Sequence, residues 1–575
     1  MPKIEVNEKL FFELLGEKCS YGELEERLVY GKAELDGLPD QSVSADERVI
    51  KIELNDTNRP DLWSTAGIAR LLKLRKTGVQ RDFSPILSRC GNLRDSGGRF
   101  VTVDPDLKDV RPFMTAFVIS GKPVDEPMLL DIIQTQEKLC WNFGRKRRTI
   151  SMGIYRSAHI KWPVHYKAVD PDAVSFVPLQ CEKAMTCRQI LSEHPKGREY
   201  GWIIADKKKF PLLTDDKDEI LSMAPIINSA TLGAVQVGDS DLLVEMTGSD
   251  MPSLLLATNI VACDFADAGY EIQACEVRHP YDTGFGKNIC VPFYFQETTD
   301  MSVAAMNKLL GSRLSASEAE TALKRTGNSI VRVTQKDSDT VITLAPPPYR
   351  NDFLHEVDAI EDVMIGASLE QFPPEKPRDF TIGRLHPVTL FSRKVKERMI
   401  GMGYQEMIFN YLGSKKEFID NMNISPSGVI EIANPMSENY QFVRPSVISS
   451  LLASEAASGN AVYPHKIFET GKIAFLDGAE VTGAKTAQSL GFLTASSTAN
   501  YNDAASEVAS LLYFLGHDYT VREGADPRFI TGRQAELLIG GRSAGVFGEV
   551  HPQVLENWAI TTPCAAGEIN LEMLI

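Results

Sequence analysis

Three consecutive prolines, Pro346, Pro347 and Pro348, constrain this chain more than any other feature. They end whatever element precedes them and forbid a helix through them. Beyond them the pattern turns helical: Val357, Ile360 and Met364 recur on one face, and Asp358, Glu361 and Asp362 stand at i, i+3 and i+4 on the neighbouring face. Three carboxylates within one turn, with Asp352 near the helix start, allow two readings. One is a solvated acidic face capped by Asp352. The other is an all-oxygen site for a hard cation such as Mg2+, with Asp352 as a fourth ligand. Like charges at these spacings destabilise a helix by about 0.2–0.5 kcal/mol per pair unless a cation or a basic partner neutralises them. Tyr349-Arg350, just upstream, could supply part of that neutralisation.

A second proline cluster, Pro373-Pro374-Glu375-Lys376-Pro377, reads as a stiff linker into a final domain. A chain of 575 residues is too long for one core and is expected to hold about three to five domains. Its formal charge of -16 argues against a protein that grips nucleic acid over its whole surface. Any RNA contact is therefore local or shared with a partner. Arg145-Lys146-Arg147-Arg148 is the most concentrated basic run, with Trp141, Phe143 and Tyr155 around it. Basic residues among aromatics suit a nucleic-acid contact, and a solvated charged turn fits the run equally well. The nine cysteines form no C-x-x-C pair and read as reduced core thiols. No charged-then-apolar leader opens the chain, and no apolar run approaches the ~18 residues of a membrane span, so a cytoplasmic protein is expected.

In chain order, Lys3 to Val6 reads as a strand and Asn7 opens a helix stopped by Gly16. A second helix starts at the capping box Ser20/Glu23. Ile50 to Leu54 alternates as a strand and runs into the polar turn 55–64, NDTNRPDLWS, which opens another helix. Phe113 to Ile119 reads as a buried strand and Leu129 to Leu139 as an amphipathic helix. In the strand Asp241 to Gly248, Leu243, Glu245 and Thr247 share a face. If that sheet is covered on both sides, Glu245 is a carboxylate aimed into a pocket; otherwise it lies on an exposed face. Asp250 is expected to cap the next helix. From Asp300, two short helices and the strands Ser329 to Val333 and Thr340 to Leu344 form a compact module that delivers the chain to the prolines. No phosphate-binding Gly-Lys loop, dinucleotide fingerprint, G-x-S-x-G elbow or H-E-x-x-H is present.

Six segments in this order, NDTNRPDLWS (55–64), PIINS (225–229) followed by LLVEMTG (242–248), the stretch 346–363, ANPMSENYQFVRPS (433–446), KIFETG (466–471) and GEVHPQVL (548–555), resemble the beta subunit of phenylalanyl-tRNA synthetase. The resemblance spans nearly the whole chain and is to the shorter kind typical of archaea and eukaryotic cytoplasm. It implies an α+β multidomain fold: an N-terminal α/β module (1–89), a B3/B4-type editing module (90–285), a small DNA-binding-like B5-type module (286–372), and a module built like a class II catalytic domain but inactive (373–575). No domain follows that last module, so an anticodon-binding extension is expected to be absent.

The implied enzyme is an alpha2-beta2 heterotetramer that attaches phenylalanine to tRNA(Phe) using ATP, with aminoacylation, and so ATP and phenylalanine, on the alpha subunit. The beta chain would hydrolyse tyrosine wrongly attached to the tRNA. On the family's positions, Asp352, Asp358, Glu361 and Asp362 would be ligands of a Mg2+ shared with the alpha subunit. Ser229, Glu245 and Thr247, with Asn228 as a further candidate, would line the editing pocket. A non-catalytic RNA-binding and assembly subunit with a degenerate pocket is the alternative. A self-sufficient ligase is disfavoured, since such enzymes need an arginine followed by an acidic residue, and here Arg444 precedes Pro445-Ser446.

Overall fold

The computed structural model describes residues 3–44, 46–87, 96–459 and 461–575. They form two units, Met1–Glu375 and Lys376–Ile575, and the division falls inside the Pro373 to Pro377 run. The fold is a mixed α+β arrangement with several sheets. The boundary expected between residues 89 and 90 falls outside the described residues.

In the first unit, Lys3–Asn7, Val49–Leu54 and Ala33–Leu35 form a three-stranded antiparallel sheet with Val49–Leu54 in the centre. Its helices begin and end where the sequence signals stand. Asn7 caps Glu8–Leu15 and Gly16 closes it with φ 81, a left-handed conformation that costs glycine little. Ser20 and Glu23 form the expected capping box. The second half of the polar turn 55–64 is buried, while Asn55, Thr57 and Asn58 are exposed. Arg59 and Asp61 make a buried bidentate pair at 2.8 Å, and the Ser64 hydroxyl caps Thr65–Thr77. Gly67 is required there, because a Cβ would lie 1.8 Å from the Asp61 carbonyl oxygen.

The centre of this unit is a ten-stranded sheet. Three of its strands run side by side, with Leu242–Gly248 hydrogen-bonded to Phe113–Ser120 on one side and to Ile150–Arg156 on the other. The helix Met251–Asp267, capped by Asp250, packs on them with most of its length buried. Buried side chains from Ile4 through Phe293 join in one apolar cluster, so the N-terminal elements and the large sheet share a core. A smaller core gathers around Met306, Leu323, Leu344 and Ile360, where a three-stranded sheet of Thr299–Ser302, Asp339–Ala345 and Ser329–Lys336 meets three helices. Its first strand replaces the start of the helix expected from Asp300.

The second unit is built on a seven-stranded sheet in which His465–Leu476, Ala484–Ala495, Cys564–Asn570, Arg542–Val550 and Phe529–Ile539 are antiparallel neighbours. At its edge the short strand Gln405–Glu406 pairs in parallel with His465–Leu476. Among the described residues the eight cysteines are free thiols, and no helix is long and apolar enough to cross a membrane.

Candidate functional site

The strand Leu242–Gly248 is buried along its whole length, so the sheet is covered on both faces and Glu245 points inward. Its register on Ile150–Arg156 places Gly153 opposite Glu245 and Tyr155 opposite Leu243. Tyr155 is therefore the diagonal neighbour of Glu245, within reach of a long aromatic side chain. Its hydroxyl donates to Glu245 Oε1 at 2.9 Å and lies 2.9 Å from Ser222 Oγ. Gly153 leaves room for this pair: a Cβ there would sit 2.2 Å from the Tyr155 hydroxyl and 2.5 Å from Glu245 Oε1.

Glu245 and Asn228 line one cavity of about 400 Å³ together with Ser222, Arg147 and the helix residues Ile132 and Gln136. Leu129, Met152, Ile154 and the segment Met223 to Ile227 supply most of the remaining wall, with Glu137, Ser151, Gln180 and Lys196 adding polar groups to it. A pocket of this size and character suits an aromatic amino-acid side chain. Glu245 Oε2 is buried with no partner. Burial pushes the Glu245 carboxyl up to about 7, opposed by the Tyr155 hydrogen bond and by Arg111. The site thus holds one carboxyl oxygen fixed by the protein and one buried without a partner, in an acid that burial raises toward neutrality.

Ser229 and Thr247 do not stand on this cavity wall. Ser229 is buried and its Oγ accepts from the Leu232 amide at 3.2 Å, closing the turn that follows the strand Ile227–Asn228. Thr247 is two residues along the strand from Glu245, but its Oγ1 accepts from Arg111 Nε at 2.8 Å and pairs with Ser151 Oγ at 2.9 Å. Arg111 also donates to the Thr247 carbonyl at 2.6 Å, so the Thr247 side chain braces a buried guanidinium behind the pocket. Ser222, Tyr155 and Arg147 line or support the site and were missed. Strand register against Leu242–Gly248 brings Tyr155 there, the fold of 220–229 brings Ser222, and the backbone bend at 145–147 brings Arg147, and none of these is visible as a local spacing.

The basic run Arg145 to Arg148 adopts an unusual path. The helix Glu126–Lys138 ends in a π turn, Leu139–Phe143, and Arg145, Lys146 and Arg147 follow with φ of 49, 57 and 67. Left-handed non-glycine residues cost of order 1–3 kcal/mol each. Here they are held by backbone hydrogen bonds, the Lys146 amide donating to the Trp141 carbonyl and the Arg147 amide to the Cys140 carbonyl, both at 2.8 Å. The bend sends Arg147 into the cavity wall, where it donates to the Pro225 and Ile226 carbonyls at 3.2 and 3.0 Å and stacks 4.2 Å from the Tyr200 ring centroid.

The four carboxylates after the prolines are not brought together on one point. Asp352 does not cap the helix Glu356–Ala367; His355 does, and Asp358 completes a capping box by accepting from the Leu354 and His355 amides at 2.7 and 2.8 Å. Asp352 instead binds Arg350, at 3.0 Å to Nε and 2.7 Å to Nη2. Burial acts to raise Asp352, but the Arg350 guanidinium outweighs it and holds the carboxyl below its ordinary range. Asp362 is buried against the same guanidinium at 2.6 Å and also accepts from Asn328 at 2.5 Å. Glu361 is ion-paired with Lys32. As arranged, the four do not fit one ion held by all of them. Among the described residues no three His, Cys, Asp or Glu side chains converge as a metal-binding group. Arg350 takes the neutralising role that its nearness in sequence suggested.

In the second unit Arg444 is fully buried, paired with Glu469 at 2.7 Å through both terminal nitrogens, and donates from Nε to the Lys472 carbonyl at 2.9 Å. Gly471 makes space for it, since a Cβ there would lie 2.0 Å from Nη2. All three nitrogens of this arginine therefore serve the protein itself.

Residues 373–571 match the family described as phenylalanyl tRNA synthetase beta chain CLM domain, and residues 299–367 match the tRNA synthetase B5 domain. The chain is 46% identical to the phenylalanine–tRNA ligase beta subunit of Treponema pallidum and 44% identical to that of Borreliella burgdorferi, with 100% of each chain covered in both comparisons. It also superposes on the crystal structure of an N-terminal fragment of the phenylalanyl-tRNA synthetase beta-subunit from Pyrococcus horikoshii, with TM-score 0.57 and 32% identity, covering 64% of this chain and 99% of that one.

Proposed function

We infer a division of labour from one premise: the chain belongs to the family of phenylalanine–tRNA ligase beta subunits. Its activity is that of an aminoacyl-tRNA synthetase subunit, serving protein biosynthesis. We propose that it acts in the cytoplasm within an alpha2-beta2 tetramer, that ATP and phenylalanine bind on the alpha subunit, and that this chain contributes tRNA contacts and a hydrolytic editing site. The full-length relatives compared are spirochaete proteins while the structural relative is archaeal, so the shorter architecture, proposed for this chain, is not tied to archaea and eukaryotes.

The observation that carries the editing reading is the unpartnered Oε2 of Glu245 in a mostly apolar pocket. An apolar pocket rejects an added hydroxyl by only about 100-fold, whereas a site built to bind the hydroxyl discriminates by roughly 10⁴-fold, because its buried polar group is otherwise unpaired. Glu245 reads the tyrosine hydroxyl and Asn228 lies on the same wall. The test is Glu245→Ala in the assembled enzyme: hydrolysis of tyrosyl-tRNA slows while phenylalanine charging stays near wild type. Hydrolysis at the wild-type rate removes Glu245 from this role.

Enzymes of this family generally use Mg2+. Because Arg350 engages Asp352 and Asp362, we assign to Asp358 and Glu361, a turn apart and partly exposed, any contact with a hydrated ion shared with the alpha subunit. The buried Arg444–Glu469 pair is the support for an inactive catalytic-like module.

A further inference from the structure

The first unit holds a second cleft, of about 1000 Å³, that the editing reading leaves unused. The two cavities share a wall. Gln136, Arg147 and Ser151 face the first, while Lys138, Trp141, Phe143, Arg145 and Thr149 face the second. The left-handed turn that sends Arg147 one way sends Arg145 the other. Gly144 allows the turn, because a Cβ there would lie 2.5 Å from both the Cys140 and the Ile150 carbonyl oxygens.

The chemistry of this cleft is specific in kind. Lys138 and Arg145 form no ion pair among the described residues. Lys3, which also lines the cleft, is already held by Asp36 and Glu53 at 3.1 Å each. The acid in the lining, Asp250, is occupied as a helix cap, accepting from the Ser253 amide at 3.0 Å. Trp141 is 44% exposed, with the Lys146 ammonium over its ring at 5.2 Å from the centroid and Tyr200 against it edge-on, so the rest of the ring is what a base can meet. Trp63 is buried to 3% exposure, lines the cleft, and its Nε1–H has no partner. Two cations without ion-pair partners, flat aromatic surfaces and an unsatisfied donor are the parts that hold an unpaired nucleotide: phosphate on the cations, base on the rings, and one acceptor for the indole.

We propose that this cleft binds an unpaired nucleotide of the RNA near the 3′ end that is presented to the neighbouring cavity. The inference rests on the editing reading only for which RNA is bound. The test uses the full chain and a single-stranded oligoribonucleotide of about ten nucleotides ending in CCA, titrated by tryptophan fluorescence at several salt concentrations. Lys138→Gln with Arg145→Gln should weaken binding about tenfold and make the slope of log K against log salt shallower by about 1.4. Trp141→Ala should weaken it about tenfold with the slope unchanged, and Trp141→Phe, which keeps a stacking plane, should retain most of it. Wild-type affinity and slope in the double variant overturn the proposal. So does loss of alpha-subunit assembly in these variants with RNA binding intact, which would make the cleft a protein interface. Glu245→Ala should bind the oligonucleotide as wild type does, so a failure of the editing reading and a failure of this one are separable.

Discussion

The Tyr155 hydroxyl fixes one oxygen of Glu245 at 2.9 Å while the other oxygen lies buried without a partner. With the carboxyl pushed by burial up to about 7, the free oxygen changes from protonated to purely accepting as the pH rises through neutrality. Discrimination between tyrosyl-tRNA and phenylalanyl-tRNA in hydrolysis should therefore increase through about pH 7 and level off above it. Glu245→Gln should flatten the profile. Tyr155→Phe removes a hydrogen bond that opposes the burial effect, so its midpoint should move to higher pH; a midpoint that stays or falls contradicts the arrangement.

The same shift has a stability consequence of opposite direction to the usual carboxylate. A raised folded value means the native chain holds the proton more tightly, so this contribution is full below the ordinary 4.5 and is lost as pH rises through about 7. The loss is about 3 kcal/mol by linkage. Thermal unfolding between roughly pH 5 and pH 8 should show a shallower loss of stability in Glu245→Gln than in the wild type, the remaining slope coming from the buried Asp131 and Asp264, which burial raises to about 6 and 7.

Gly153 is the least conspicuous residue of the site and the least replaceable. Opposite Glu245, any side chain collides with both members of the pair. Gly153→Ala should abolish hydrolysis of tyrosyl-tRNA and lower stability by about 1–3 kcal/mol through overpacking, with phenylalanine charging retained. Deacylation near the wild-type rate would show that the pair can shift without consequence.

Much of this architecture was legible because its signals are local. Caps at Asn7, Ser20, Ser64, Asp250 and Ser315 lie where hydrogen-bonding side chains precede apolar periodicity. The inward direction of Glu245 followed once the sheet proved covered on both faces. The partners did not follow. Tyr155 meets Glu245 through strand register, Arg111 meets Thr247 across 136 residues of chain, and Arg350 outcompetes the helix end for Asp352. Carboxylate spacing fixes which residues share a helix face, and it carries no information about which cation arrives there from elsewhere.

Arg350 separates the four carboxylates into two kinds, and mutation should reveal the split. Removing Asp362 leaves a buried guanidinium with part of its compensation gone, so Asp362→Ala should cost about 3–5 kcal/mol of stability in the isolated chain. Asp358→Ala removes a capping carboxylate at a partly exposed helix start and should cost only about 1 kcal/mol. In the tetramer the order reverses if Asp358 and Glu361 contact a bridging ion, because such an ion stabilises only the complex. Sizing chromatography with and without a chelator reads this. An unchanged tetramer in Asp358→Ala, Glu361→Ala and the chelated wild type removes the shared ion.

Arg444 carries the last prediction. A ligase site needs a guanidinium free to meet a carboxylate or phosphate, which calls for forked donors facing the ligand. Here both terminal nitrogens are on Glu469 and Nε is on the Lys472 carbonyl, in a fully buried position beneath Gly471. Releasing the arginine would strand Glu469, itself buried, at a cost of about 3–5 kcal/mol. Weak substrate affinity cannot supply that. The purified chain should therefore show no phenylalanine-dependent pyrophosphate exchange with ATP at any substrate concentration. Adding the alpha subunit should restore it, and Arg444→Met with Glu469→Leu in this chain should leave the restored rate intact while the pair's removal changes only stability. Exchange by the chain alone would overturn the division of labour, and loss of exchange in the folded double variant would give Arg444 a role beyond its own core.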